Sequence, residues 1–111
     1  MQVATEQIIR QMTDIIEKEL NPEAIILFGS QASGTSNSGS DVDFLIIDSV
    51  PFGPGHNRRR ILSRTRKALH QFLLPVDLLL YSRDEIDYWK DAPNHVVAQA
   101  LHKGRVLYER H

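Results

Sequence analysis

Two short apolar runs constrain this chain more than any other feature. AIILF, from Ala24 to Phe28, stops at Gly29-Ser30, and a second run, Val42 to Ile47, starts directly after Asp41 and carries another acid, Asp43, inside it. Each run is continuous and short, which suits a buried strand better than a helix. Residues 29–40 between them hold three glycines and five serines and cannot form regular strand. Like charges one residue apart at the mouth of a buried strand repel, and each loses hydration there. A divalent cation is the natural species to offset that cost.

The remaining pattern fills in around these strands. Ile8, Ile9, Met12, Ile15, Ile16 and Leu20 fall on one helical face, and the helix ends at Asn21-Pro22. DSVPFGPGHN, residues 48–57, reads as a loop. Ile61, Leu62, Leu69, Phe72 and Leu73 predict a second helix from Arg58 to Leu74, with Arg58, Arg59, Arg64, Arg66 and Lys67 on its basic face and Pro75 ending it. Val76 to Tyr81 is a third strand. Ser82-Arg83-Asp84-Glu85 has the capping-box pattern and opens a short helix. A further helix is expected from Asn94 to His102 with Gly104 as its C-cap, followed by a short strand from Arg105 to Tyr108. The order predicts one α/β domain over residues 1–111, a small mixed sheet with helices packed on it.

Composition narrows the function classes. The 111 residues include 13 basic and 14 acidic ones, so no bulk charge favours nucleic acid or membrane. Cysteine is absent, which removes disulfides, thiolate zinc sites and a thiol nucleophile, and fits a reducing cytoplasm. No apolar stretch approaches the ~20 residues of a membrane span. The five histidines show no metal-ligand spacing; His95 and His102, seven apart, read as surface or satisfied polar residues.

The chemistry concentrates in three acids and one turn. In a strand, residues i and i+2 face the same way, so Asp41 and Asp43 project together, about 6.6 Å apart. Carboxylates so placed can share a cation or bridge a pair, and oxygen-only ligands favour Mg²⁺ or Mn²⁺ over zinc. Asp77 stands in the same context at the start of VDLLLYS and completes the set if the second and third strands are neighbours. Gly29 lets the backbone turn sharply after a buried strand, and Ser30 adds a hydroxyl, together a phosphate cradle without the P-loop pattern. Ser40 either touches phosphate or caps the turn; Gly34 and Gly39 read as turn formers. A bare Asp-x-Asp is as well explained by a solvated turn, and Arg58-Arg59-Arg60 by a solvated helix start.

GSQASGTSNSGSDVDFLI, from Gly29 to Ile46, resembles the signature of the DNA polymerase beta nucleotidyltransferase superfamily, GSxAxG followed by SDxDxxI or V. Gly29, Ser30, Ala32, Gly34, Ser40, Asp41, Asp43 and Ile46 match at the usual spacing. The chain is most similar to the minimal nucleotidyltransferases, including the later VDLLLY and GRVLYE segments. Gln31 and Ser33 depart from it, standing where arginine is common.

The resemblance implies a polymerase beta palm-like fold and a metal-dependent transfer. Asp41, Asp43 and Asp77 would be catalytic and hold two Mg²⁺ ions (Mn²⁺ as the alternative), and Gly29, Ser30 and Ser40 would bind a nucleoside triphosphate, ATP by expectation. A hydroxyl acceptor would take the nucleoside monophosphate and pyrophosphate would leave. Small members are often encoded beside a HEPN-domain ribonuclease toxin, and some adenylylate a tyrosine on it. The best specific expectation is therefore an antitoxin acting as a protein adenylyltransferase on a HEPN-type toxin, in a homo- or hetero-oligomer, without membrane or direct nucleic-acid substrate. Two alternatives stay open: an antitoxin that neutralises by contact alone, and a small-molecule nucleotidyltransferase such as an antibiotic-modifying enzyme.

Overall fold

The computed structural model describes residues 4–33 and 41–110, the side chains of Ser30 and Ser33 excepted. Helix α1, Glu6–Leu20, is capped at its start by Thr5, whose side chain accepts from the Ile8 N–H, and is ended by Asn21 in the left-handed conformation. Strand β1, Ala24–Phe28, leads through Gly29 into a single turn, α2, Ser30–Ser33. Strand β2, Val42–Asp48, precedes the loop and then helix α3, Arg58–Ala68, capped by Asn57. Strand β3 is Val76–Ser82, helix α4 Arg83–Trp89, helix α5 Val96–Lys103 and strand β4 Arg105–Glu109.

The sheet order is β3-β2-β1-β4. β1 runs antiparallel to β2 and β4, while β2 and β3 are parallel and α3 is their crossover. This is the small mixed sheet with packed helices that the pattern predicts. Each face has its own core. On one, Ile25, Leu27, Phe44, Ile46, Leu78 and Leu80 meet Ile9, Met12 and Ile16 of α1 and Ile61 of α3. On the other, Ala24, Ile26, Leu45 and Ile47 meet Ile86 of α4 and Val97 and Ala100 of α5. β2 is thus covered on both faces and paired on both edges, which explains its unbroken apolar sequence.

Two expectations change. Helix α3 stops at Ala68 rather than Leu74. Beyond it the backbone tightens into three-residue turns, His70 N–H to the Lys67 carbonyl and Phe72 N–H to the Leu69 carbonyl, which still bury Leu69 and Phe72. Second, α5 starts at Val96. His95 is its N-cap, accepting at Nδ1 from the Val97 N–H and stacking on Trp89 with centroids 4.1 Å apart, a satisfied polar residue as expected. Tyr88 is 76% exposed and meets Trp89 edge-on. The Ser82–Glu85 capping box is present as expected.

Gly104 caps α5, but its φ is −81°, an ordinary value, so conformational freedom is not the reason for glycine there. Space is. A Cβ would lie 2.3 Å from the Ala100 carbonyl oxygen, 2.6 Å from Ile26 Cγ2 and 2.9 Å from the Leu27 carbonyl oxygen. Two of the three are backbone atoms that cannot swing aside. Gly104→Ala should therefore destabilise the fold by about 1–3 kcal/mol, as overpacking does; urea unfolding of both proteins measures it.

Candidate active site

The register of the sheet decides which side chains meet. Phe28 pairs with Asp43 across β1 and β2, and Asp43 pairs with Asp77 across β2 and β3. The three form one row, on the face that α4 and α5 cover further along, where Ile26, Leu45, Leu79 and then Ala24, Ile47, Tyr81 make the next two rows. Strands 2 and 3 are thus neighbours in the phase that puts Asp43 and Asp77 side by side. The Val42 N–H donates to the Pro75 carbonyl at 3.0 Å, which ties the starts of the two strands together. Asp41 lies one residue before β2 and is exposed, as is Asp77; Asp43 is half-buried.

Gly29 closes this end of the site. Its φ is +74°, the left-handed region, and a Cβ there would sit 2.3 Å from Asp43 Oδ2 and 3.2 Å from Asp43 Cγ. The carboxylate of Asp43 therefore rests against the bare Cα of the turn that follows β1. Glycine is needed twice over, for conformation and for space. Ser40 and the side chain of Ser30 lie outside the described residues.

Electrostatics at this point are unfavourable by construction. Burial, then Asp77, then Asp41 push the Asp43 carboxyl above its ordinary range. No Lys or Arg forms an ion pair with Asp41, Asp43 or Asp77 among the described residues. The other end of β2 is treated in the opposite way. Asp48, which the sequence reading left unremarked, is buried too, but it accepts from the Val50 N–H at 2.9 Å and pairs with His56 Nε2 at 2.8 Å. An Asp ending an apolar strand with a His eight residues on was the available signal. One strand thus carries a satisfied acid at its end and an acid among acids at its start.

The donor set suits a hard divalent cation: carboxylate oxygens, with no thiolate and no imidazole in the row. Among the described residues no three acidic or histidine side chains converge closely enough to hold an ion as they lie. Binding one would draw the exposed Asp41 and Asp77 side chains toward Asp43.

The family model described as polymerase beta, nucleotidyltransferase matches residues 10–111. The chain belongs to that family. No curated protein matches its sequence closely. Solved structures with the same fold include a candidate nucleotidyltransferase from Sulfolobus solfataricus, 18% identical, covering 94% of this chain and 79% of that one at a TM-score of 0.61. A toxin-antitoxin with AMP-PNP is 20% identical, covering 91% and 73% at a TM-score of 0.56. A mutant of the toxin-antitoxin MntA-HpeT is 18% identical, with the same coverage and a TM-score of 0.54. The family that the Gly29–Ile46 signature resembles is thus the chain's own. Family membership makes the protein a nucleotidyltransferase by fold.

Two predictions follow from the geometry. With its folded value raised, Asp43 makes the metal-free fold lose stability as pH rises from the unfolded value through the folded one. Asp43→Asn should accordingly raise the melting temperature at neutral pH in the presence of a chelator, with the gain vanishing near pH 3; thermal scans across pH test the sign. Gly29→Ala should cost stability through the left-handed backbone, about 1–2 kcal/mol before any clash is counted. Pairing it with Asp43→Ala, which removes the carboxylate the new Cβ would meet, should recover part of that loss in a double-mutant cycle.

Proposed function

We propose that this protein transfers AMP from ATP to a hydroxyl of a protein acceptor, a tyrosine on a HEPN-type toxin partner, and so acts as its antitoxin. The observation that carries the reading is the row of Asp43 and Asp77 in register on parallel strands, with Asp41 beside it and the Gly29 turn against the Asp43 carboxylate. The fold likeness to toxin-antitoxin structures, one of them with AMP-PNP, supports the choice of partner and nucleotide.

In this reading Asp41, Asp43 and Asp77 hold two divalent cations, Mg²⁺ or Mn²⁺. When bound, such ions supply charge neutralisation of the triphosphate and a more acidic acceptor hydroxyl. The chain's own groups do the rest. The Gly29-Ser30 turn exposes backbone N–H groups to the β- and γ-phosphates, and the missing side chain at Gly29 allows close approach. Asp77, exposed at the edge of the row, takes the proton of the incoming hydroxyl. The upward shift of the half-buried Asp43 carboxyl, caused by burial and its acidic neighbours, is one that a bound cation would oppose.

The test uses ATP labelled on the α-phosphate, Mg²⁺, and a HEPN-type protein as the candidate acceptor. Label should move to the partner with wild type. Asp77→Asn should lose most of the transfer, at least about a hundredfold, while ATP affinity changes little, because an interaction made mainly in the transition state is lost. Full transfer by Asp77→Asn would remove that residue from the mechanism. Neutralisation of the partner without any transfer would replace the enzyme reading with binding alone.

A further inference from the structure

Charge is unevenly distributed along this chain. Six of its 13 basic residues (Arg58, Arg59, Arg60, Arg64, Arg66 and Lys67) lie within α3, which holds none of the 14 acids. The helix therefore carries +6, and the remaining seven cations and 14 acids carry −7, within a net charge of −1. Local pairing uses only part of this. Arg58 pairs with Glu85, and Arg64 stands 3.8 Å from Glu19. Arg59, Arg60, Arg66 and Lys67 are exposed and have no acidic partner among the described residues.

Folding does not account for these four. The inner face of α3 buries Ile61 and Thr65, and Thr65 Oγ1 donates to the Ile61 carbonyl; of the cations on the rest of the helix, Arg58 and Arg64 have acidic partners and these four have none among the described residues. Cations in the first turn oppose the helix dipole, so Arg59 and Arg60 are placed against the helix's own preference. Arg58, Arg59, Leu62, Ser63 and Arg66 line an open groove of about 540 Å³, in which Leu62, half-buried against the α1/α3 core, is the one apolar side chain.

We propose that the outer face of α3 is a docking surface for an acidic amphipathic helix on a partner protein. An apolar stripe flanked by Asp or Glu suits this groove: its apolar residues meet Leu62 and its acids meet Arg59 and Arg66, while Arg60 and Lys67, about 100° further round the helix, add positive charge beyond the groove. The length agrees, since α3 with 11 residues spans about 16 Å, roughly three turns of an opposing helix. A nucleic acid fits less well. A strand longer than the patch runs onto a remainder that carries −7, and beyond a screening length of about 8 Å the patch no longer compensates. No aromatic side chain lies within α3 to stack a base. The inference takes from the functional proposal only that the partner is a protein.

The probe is a synthetic helical peptide of about 20 residues, with leucine along one stripe and glutamate on both flanks. Fluorescence anisotropy of the labelled peptide is read against wild type, against Arg59→Glu with Arg66→Glu, and against Arg10→Glu with Lys103→Glu, which changes net charge equally but outside α3. A labelled RNA strand of the same length is the second arm. No nucleotide is present, so a protein unable to transfer AMP still gives an answer. Wild type should bind the peptide, more weakly as salt rises, and the α3 variant about tenfold or more weakly, with the control unchanged. Circular dichroism confirms that each variant is folded; Arg59→Gln with Arg66→Gln replaces the α3 variant if it is not. Absence of peptide binding, an equal loss in the control, or tighter binding of the RNA would each overturn the proposal.

Discussion

The parallel pairing of β2 with β3 is the constraint on which the rest of this structure depends. Parallel neighbours cannot be joined by a tight turn, so α3 must exist and must pack. The pairing also sets which acids meet. Side chains alternate along a strand, so a slip of one residue would send Asp77 to the α1/α3 face and set Asp43 beside an apolar neighbour. Register is held from both faces, by Leu78 and Leu80 against the α1/α3 core and by Leu79 and Tyr81 against the other. The acids do not hold themselves together. Two cores hold them together against their own repulsion.

That division of labour explains why so much was legible in the linear sequence. Strand β2 announces itself because a strand covered on both faces and paired on both edges admits no polar residue in its middle. Asp43 was conspicuous for the same reason. Gly29 was readable as a sharp turn, though its contact with Asp43 was not, since contact depends on the antiparallel pairing of Phe28 with Asp43. The adjacency of Asp77 was readable only as a condition, because strand order in a sheet is a global property. What misled was spacing. Leu69 and Phe72 are three apart, which suits a helix face, but three-residue turns place side chains at the same interval. Gly104 was readable as a C-cap, but the reason it must be glycine, its lack of volume against Ala100, Ile26 and Leu27, was not.

The two ends of β2 show how a fold treats an acid it uses structurally and one it leaves available. Asp48 is enclosed, accepts a backbone N–H, and meets His56, whose ring stacks on Phe52 with centroids 5.3 Å apart. Every part of that arrangement closes the loop of residues 48–57 onto the strand. Asp43 stands on the same strand and has none of that relief among the described residues. Its nearest charges are acids, and the turn beside it offers a bare Cα. A network of satisfied polar groups can be read as architecture; an unsatisfied concentration of one charge lowers stability and calls for another reason.

Helix α3 repeats the contrast with the opposite sign. Arg58 is architectural: its guanidinium lies 4.5 Å from the centroid of Phe52 and 5.7 Å from that of Tyr81, and it pairs with Glu85. Burial alone would raise the Glu85 carboxyl, but hydrogen bonds from Ser82 and Arg58 outweigh it and hold it below its ordinary range. Arg58 thereby links the loop before α3, strand β3 and the capping box of α4. Arg59, Arg60, Arg66 and Lys67 have no such partner among the described residues. Were the basic character of α3 a device for solubility, cations mixed with acids would serve, and at its N-terminus acids would serve better. Instead a single sign fills the outer face of the element that closes the β2–β3 crossover. The helix whose inner face fixes the register of the carboxylates thus carries the molecule's densest positive charge on its outer face, on the side of the sheet opposite the carboxylate row. Recognition through α3 and chemistry at Asp43 would therefore occupy different faces, leaving the acidic row open while a partner is held.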